Sequence, residues 1–243
     1  HRFGSSGIGT TVTAHPEYPA LAVKHLAEIT GIDFKNSDDL IAATSDCGAY
    51  VALSSAVKSL AVKLTKVCND LRLLASGPRT GLSELILPQL QPGSSIMPGK
   101  VNPVIPEVTN QACFLAIGLD TTVMLAASAG QLELNVMEPV ITFALYMQMK
   151  VLTNACNHLR EKCIDGIVVN AEHCKDLVMG SLGIVTLLKP HFGYKPCANI
   201  AREGFLTGKS LHQLVVEEKG MLTQEQWDHT FTYENLINPK FEK

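Results

Sequence analysis

Apolar residues recur at spacings of three and four through the middle of the chain. Between Ser45 and Ser76 the rhythm is held by Leu53, Val57, Leu60, Leu64, Val67 and Leu71, with Ala56 and Ala61 beside them. Lys58, Lys63, Lys66, Asp70 and Arg72 occupy other positions. This period predicts an amphipathic helix, free of internal proline and stopped at Ser76-Gly77-Pro78. A helix of about 30 residues would run about 45 Å, which suits a long bundle better than a small globule. A second helix is predicted over Glu107–Ala129 and a third over Pro139–Glu161, where Pro139 is tolerated near a helix start. The second is apolar or small almost all round, so it must be buried by several neighbours.

A shorter helix precedes these, from near Glu17 to Thr30, with Gly31 just after it. Leu85–Leu87 is the single strand candidate. From about Ile167 the texture changes. A short helix is predicted from Asn170 to Leu182, a proline- and glycine-containing break over Leu187–Lys195, and helices over Pro196–Gly208 and Ser210–Glu218. Thr223 with Gln226 three residues on has the spacing of a capping box. The predicted fold class is all-α: a long-helix bundle region over 1–168 and a small helical domain over 169–243.

Composition sharpens this picture. Hydrophobic residues make up 46% of the 243 residues and charged ones 18%, so the chain is rich in core and poor in surface. Either much of the charged surface is missing from these residues, or much of the surface is covered by other chains. Twenty Lys and Arg against 23 Asp and Glu give −3, with no basic stripe, so no nucleic-acid partner is expected. The nearest approach to a membrane span, Ala112–Ala129, is broken by Asp120 with Gly118, Thr121 and Thr122, and no membrane partner is expected. Seven cysteines without zinc spacing fall mostly in apolar patterns, which predicts reduced thiols and a cytoplasmic protein. Met124, Met137, Met147 and Met149 read as bundle filler.

Candidate chemistry concentrates in the proline-rich stretch Gly77–Pro106, above all in residues 92–103, Pro92-Gly93-Ser94-Ser95-Ile96-Met97-Pro98-Gly99-Lys100-Val101-Asn102-Pro103. Gly93 and Gly99 permit backbone angles that other residues avoid, and with Pro98 they suggest a loop that moves between defined shapes. Two hydroxyls stand at its head, and an ammonium and an amide at its far end, as binding of a carboxylate needs. A nearby cation favours the anionic form of a serine. Ordinary turn residues in a proline-rich loop are the competing reading. There is no Gly-x-Ser-x-Gly elbow, and the Gly7–Gly9 cluster follows no strand, so neither a hydrolase nor a dinucleotide site is expected.

The run Gly93–Pro103 resembles the signature of the aspartase/fumarase superfamily, whose members eliminate ammonia, water or an amine from a succinyl skeleton to leave fumarate. Ser76-Gly77-Pro78-Arg79 and Gly130-Gln131-Leu132-Glu133-Leu134-Asn135 reinforce the likeness. The continuation Val104-Ile105-Pro106-Glu107-Val108-Thr109-Asn110-Gln111, Thr44–Tyr50, Glu133–Pro139 and the terminal Asn235–Pro239 resemble the aspartase branch more than the fumarase branch. The resemblance implies elimination of ammonia from L-aspartate. Ser94 corresponds to the general base at C3, Lys100 and Asn102 to residues that grip the carboxylate beside the carbanion, and Ser95 to a neighbour adding a loop contact. Glu107 corresponds to an acidic residue able to orient Lys100 or a group behind it. No metal and no organic cofactor is implied. Fumarate hydration and a non-catalytic helical assembly module are the alternatives.

The resemblance covers residues 7 to 241 but corresponds to the C-terminal half of a family member. The family's histidine motif, of Gly-Arg-Thr-His type, is not in this chain, and His15, in Thr13-Ala14-His15-Pro16, does not replace it. The resemblance therefore implies three kinds of partner: a small dicarboxylate, an N-terminal half of the same protein, and further copies in a homotetramer whose active sites are shared between subunits.

Overall fold

The three apolar stretches fold as long helices. The computed structural model describes residues 6–238, which leaves Gly4 and Ser5 of the opening stretch and Pro239 of the terminal motif outside the described residues. The chain divides into two compact units, His1–Val168 and Val169–Lys243. The first holds α1 (Ser6–Gly9), α2 (Tyr18–Thr30), α3 (Leu40–Ser45), α4 (Gly48–Leu74), β1 (Leu85–Ile86), α5 (Val104–Ser128) and α6 (Glu138–Lys162). Gly31 closes α2 in the left-handed region, where a residue without Cβ is favoured. β1 pairs with a second two-residue strand, β2 (Val168–Val169).

The start of α4 follows from local chemistry. Asp39 caps α3 by accepting from the Ile41 and Ala42 amides, both at 2.9 Å, and Asp46 accepts from Gly48 N at 2.9 Å where α4 begins. The predicted long helix thus starts three residues late, behind a separate short helix that periodicity did not reveal. α5 starts one turn earlier than predicted, because Pro106 falls in its first turn, where a missing N–H costs nothing.

Helix α5 packs against both α4 and α6. The core layers fix their directions. One layer joins Val51 near the start of α4, Val123 and Ala126 near the end of α5, and Ile141 and Leu145 near the start of α6. The middle layer holds Ala61, Cys113, Ala116 and Leu152. The last joins Cys68 and Leu71, Ile105, and Leu159 with Cys163. α5 therefore runs antiparallel to both neighbours. Small residues at Ala61, Ala116 and Ala144, all fully buried, allow close approach. None of the seven cysteines is in a disulfide, and burial pushes the Cys68 thiol up to about 11, which keeps it an inert packing group.

Between the first two layers lies a polar contact. Asp120, 7% exposed, accepts from Ser54 Oγ at 2.7 Å and from Lys58 Nζ at 2.5 Å. Gln148 Oε1 lies 3.2 Å from the same Ser54 hydroxyl, and Gln148 Nε2 donates to the Ala116 carbonyl at 2.9 Å. Burial pushes the Asp120 carboxyl up, but Lys58 and Ser54 outweigh it and hold it below the usual carboxylate range.

Helix α5 is the one described helix long and apolar enough to cross a membrane by length and composition. In the chain it is buried on one side only. Phe114, Leu115, Met124 and Leu125 are exposed on it, as are Phe143, Tyr146 and Met149 on α6. Burial of α5 from all sides is therefore not achieved within this chain. Met124 and Met149 do not fill its core.

The second unit holds α7 (Ala171–Gly180), a 3-10 stretch (Leu182–Leu188), α8 (Lys189–Phe192), α9 (Tyr194–Thr207), a π-helical turn (Gln213–Glu218), α10 (Gln224–Thr230) and α11 (Tyr233–Ile237). Its core is Leu188, Ile200, Leu211, Leu214, Val215 and Trp227. The capping box forms: Gln226 N donates to Thr223 Oγ1 at 3.2 Å, and Thr223 N to Gln226 Oε1 at 2.9 Å.

Asp120→Asn should destabilise the intact protein by about 3 kcal/mol, the low end for breaking a buried charged pair, because Lys58 can reach water. A carboxyl held low contributes stability above the ordinary carboxylate range and loses it as pH falls through its lowered value. Urea midpoints between pH 3 and 5 should therefore fall less steeply in the variant than in the parent.

Candidate active site

The segment between α4 and α5 is shaped by short-range bonds. Ser76 Oγ donates to the Leu73 carbonyl at 2.6 Å and accepts from Leu82 N at 3.0 Å, and Ser83 N donates to Ser76 O at 2.7 Å. These fold Ser76–Ser83 back on the end of α4. A Cβ at Gly81 would lie 2.4 Å from the Ser76 carbonyl carbon, so only glycine fits.

The 92–103 loop is closed at its base. Gly93 N donates to the Lys100 carbonyl at 3.0 Å, and Asn102 Nδ2 donates to the Gly93 carbonyl at 2.7 Å. A Cβ at Gly93 would fall 2.0 Å from Lys100 O. Inside the loop, Lys100 N donates to Met97 O at 3.3 Å across a turn in which Gly99 has φ +79°. Ser94 Oγ accepts from the backbone amides of Ile96 and Met97, each at 3.0 Å. Two amides aimed at one oxygen favour its negative charge. The hydroxyl's own proton is thereby left to point away from them.

Residues Ser95 to Val101 are exposed, while Gly93, Ser94 and Asn102 are half-buried. Ser94, Lys100 and Asn102 are thus tied together through the loop base. Ser95 stands at its open side. Glu107 lies in the first turn of α5, and among the described residues no ion pair engages Lys100, from Glu107 or elsewhere. Of the two roles expected for Glu107, orienting Lys100 or a group behind it, the structure shows no direct contact for the first. Also among the described residues, no group of three or more His, Cys, Asp or Glu side chains is placed to hold a metal ion.

Sequence reasoning did not identify Gly93 as a steric requirement, nor the Ile96 and Met97 amides as donors. The available signal was a serine two and three residues before unpaired amides, as at a helix N-cap.

The comparisons with known proteins bear on the family and the fold. The "Lyase" family profile matches residues 2–118, which include the loop, and the "Fumarase C C-terminus" profile matches residues 184–238. The aspartate ammonia-lyase of Escherichia coli (strain K12) is 54% identical over 238 residues, covering 98% of this chain and 50% of that protein. Among solved structures, a fumarate lyase:delta crystallin from Brucella melitensis bound to cobalt superposes with a TM-score of 0.90 at 42% identity, over 94% of this chain and 49% of that one. The class II fumarase of Schistosoma mansoni gives 0.89 at 32% identity, over 97% of this chain and 52% of that one. The chain spans about half the length of the curated relatives it matches. With matches in both of its units and a loop that resembles the superfamily's signature, the chain belongs to the aspartase/fumarase family of lyases.

Proposed function

We propose that the whole protein to which this chain belongs eliminates ammonia from L-aspartate to give fumarate, with Ser94 as the general base. The observation that carries this reading is the Ser94 oxygen held by two backbone amides at 3.0 Å. As an alkoxide, Ser94 takes the proton from C3, and the C3–H bonding pair passes into the adjacent carboxylate. That group then carries two negative charges, and donors fixed beforehand stabilise it far more than the ground state. The Lys100 ammonium and the second proton of the Asn102 amide are the donors this chain offers. As the charge returns, a C2–C3 double bond forms and the C2–N bond breaks, its pair leaving with nitrogen as ammonia. The proton on Ser94 is lost to solvent. Ser95 adds a contact on the open side of the loop, and Glu107 acts behind the site from the first turn of α5.

The substrate has a second carboxylate and an ammonium that need partners as well. We assign these to the rest of the whole protein and to neighbouring copies in a homotetramer. The apolar residues left open on α5 and α6 support such packing, since faces of this size are normally covered. Seven cysteines outside any disulfide suit a reducing cytoplasm. Fumarate hydration is the second reading, favoured by the likeness to the Schistosoma class II fumarase. Absorbance of fumarate rising with aspartate and not with malate would decide for the first.

In the intact protein, Ser94→Ala should cut turnover by several orders of magnitude while leaving the dissociation constant of a non-reactive diacid nearly unchanged. Lys100→Ala should weaken both, with a loss in kcat/KM of about 3 kcal/mol, roughly two orders of magnitude. Near-normal turnover in the Ser94 variant would assign the base elsewhere.

Residues 1–243 by themselves should not release fumarate from aspartate, because a substrate with its amine and second carboxylate in bulk water loses the orientation that drives the reaction. Adding the remaining half of the protein, made separately, should restore activity. Full turnover by residues 1–243 alone would contradict the shared site.

A further inference from the structure

The 92–103 loop has little besides hydrogen bonds to give it a shape. Seven consecutive residues, Ser95 to Val101, are exposed, with Ile96 at 86% and Met97 at 53%. Packing therefore does not decide where Ser94 Oγ points. The candidates are the bonds within the turn and the bonds that close its base.

Gly93 is the residue at which these meet. Both of its backbone polar groups are engaged by the far end of the loop: its N–H by the Lys100 carbonyl at 3.0 Å and its carbonyl by Asn102 Nδ2 at 2.7 Å. The space where its side chain would stand is filled by Lys100 O, 2.0 Å from an ideal Cβ. The two strands of chain touch there with nothing between them. Asn102 is the one side chain in this closure and, being half-buried, competes with less water than a surface amide would. Ser94 follows Gly93 directly, so the peptide plane that Asn102 holds is the plane that orients Ser94.

We infer that Asn102 is a positioning residue, whose amide clamps the Gly93 carbonyl and so keeps Ser94 Oγ under the Ile96 and Met97 amides before any substrate arrives. This rests on reading Ser94 as the base, and it gives Asn102 work in the empty site as well as at the substrate carboxylate. An asparagine amide has two protons, so one can hold Gly93 while the other meets a ligand. The loop base stays shut, and the Ser94 turn is carried on it as a closed ring. The clamp and the base are then set by the same short stretch of backbone.

The test is amide hydrogen exchange in the ligand-free, full-length protein, resolved at Gly93, Ile96 and Met97, with α5 amides as the internal control of folding. Asn102→Ala should speed exchange at all three amides by at least tenfold and leave α5 unchanged. Gly93→Ala, which opens the same closure from the other side and keeps the asparagine, should give the same pattern, and decides alone if the first variant does not fold. In kinetics, Asn102→Ala should lower kcat as well as raise KM, and the limb of the kcat profile that rises with base ionisation should move at least one pH unit upward.

Unchanged exchange at Ile96 and Met97 in the folded variants would overturn the clamp, as would a rise in KM alone with the pH limb in place. Failure of the lyase reading is separate. It would show as absence of aspartate turnover in the parent protein, and the exchange data would still decide the clamp.

Discussion

The burial of α5 against α4 and α6 is the constraint on which the first unit depends. One helix supplies residues to all three core layers and begins where the 92–103 loop ends. Any slip of α5 would therefore move Asn102 and Lys100 against the chain that precedes them. Apolar packing alone resists such a slip weakly, because alanine and leucine contacts look alike one turn away. The Asp120 contact to Ser54 and Lys58, with Gln148 close by, has one satisfied register. We regard it as the feature that converts a stack of apolar helices into a fixed platform.

Much of this was legible in the sequence, for reasons that can be named. The three long helices show because their apolar period continues for many turns, and the end of α4 shows where Ser76-Gly77-Pro78 interrupts it. The short helix Leu40–Ser45 and the 3-10 stretch Leu182–Leu188 are too short for a period to register. β2 is two valines, which no pattern of alternation can betray. The faces of α5 left open in this chain have a different origin. Composition reports that a helix must be covered, and is silent about which chain does it.

In the loop, the sequence shows residue types and leaves backbone direction open. The roles proposed for Ser94, Lys100 and Asn102, a base and two carboxylate donors, come from residue type and resemblance. That Ile96 and Met97 aim their amides at Ser94 Oγ depends on torsion angles that side-chain identities do not encode. The role expected of Glu107, orienting Lys100 or a group behind it, came from resemblance; Glu107 stands in the first turn of α5, which starts at Val104, and Lys100 lies ahead of that helix.

The proposed reaction turns on a proton at C3 and an amine at C2, and both can be read in one experiment run backwards. Fumarate and ammonium would be incubated in D2O with the intact protein and followed by proton NMR. The account predicts L-aspartate carrying a single deuterium at C3, delivered from Ser94. Formation of malate in place of aspartate, or aspartate whose two C3 positions are labelled at random, would contradict it.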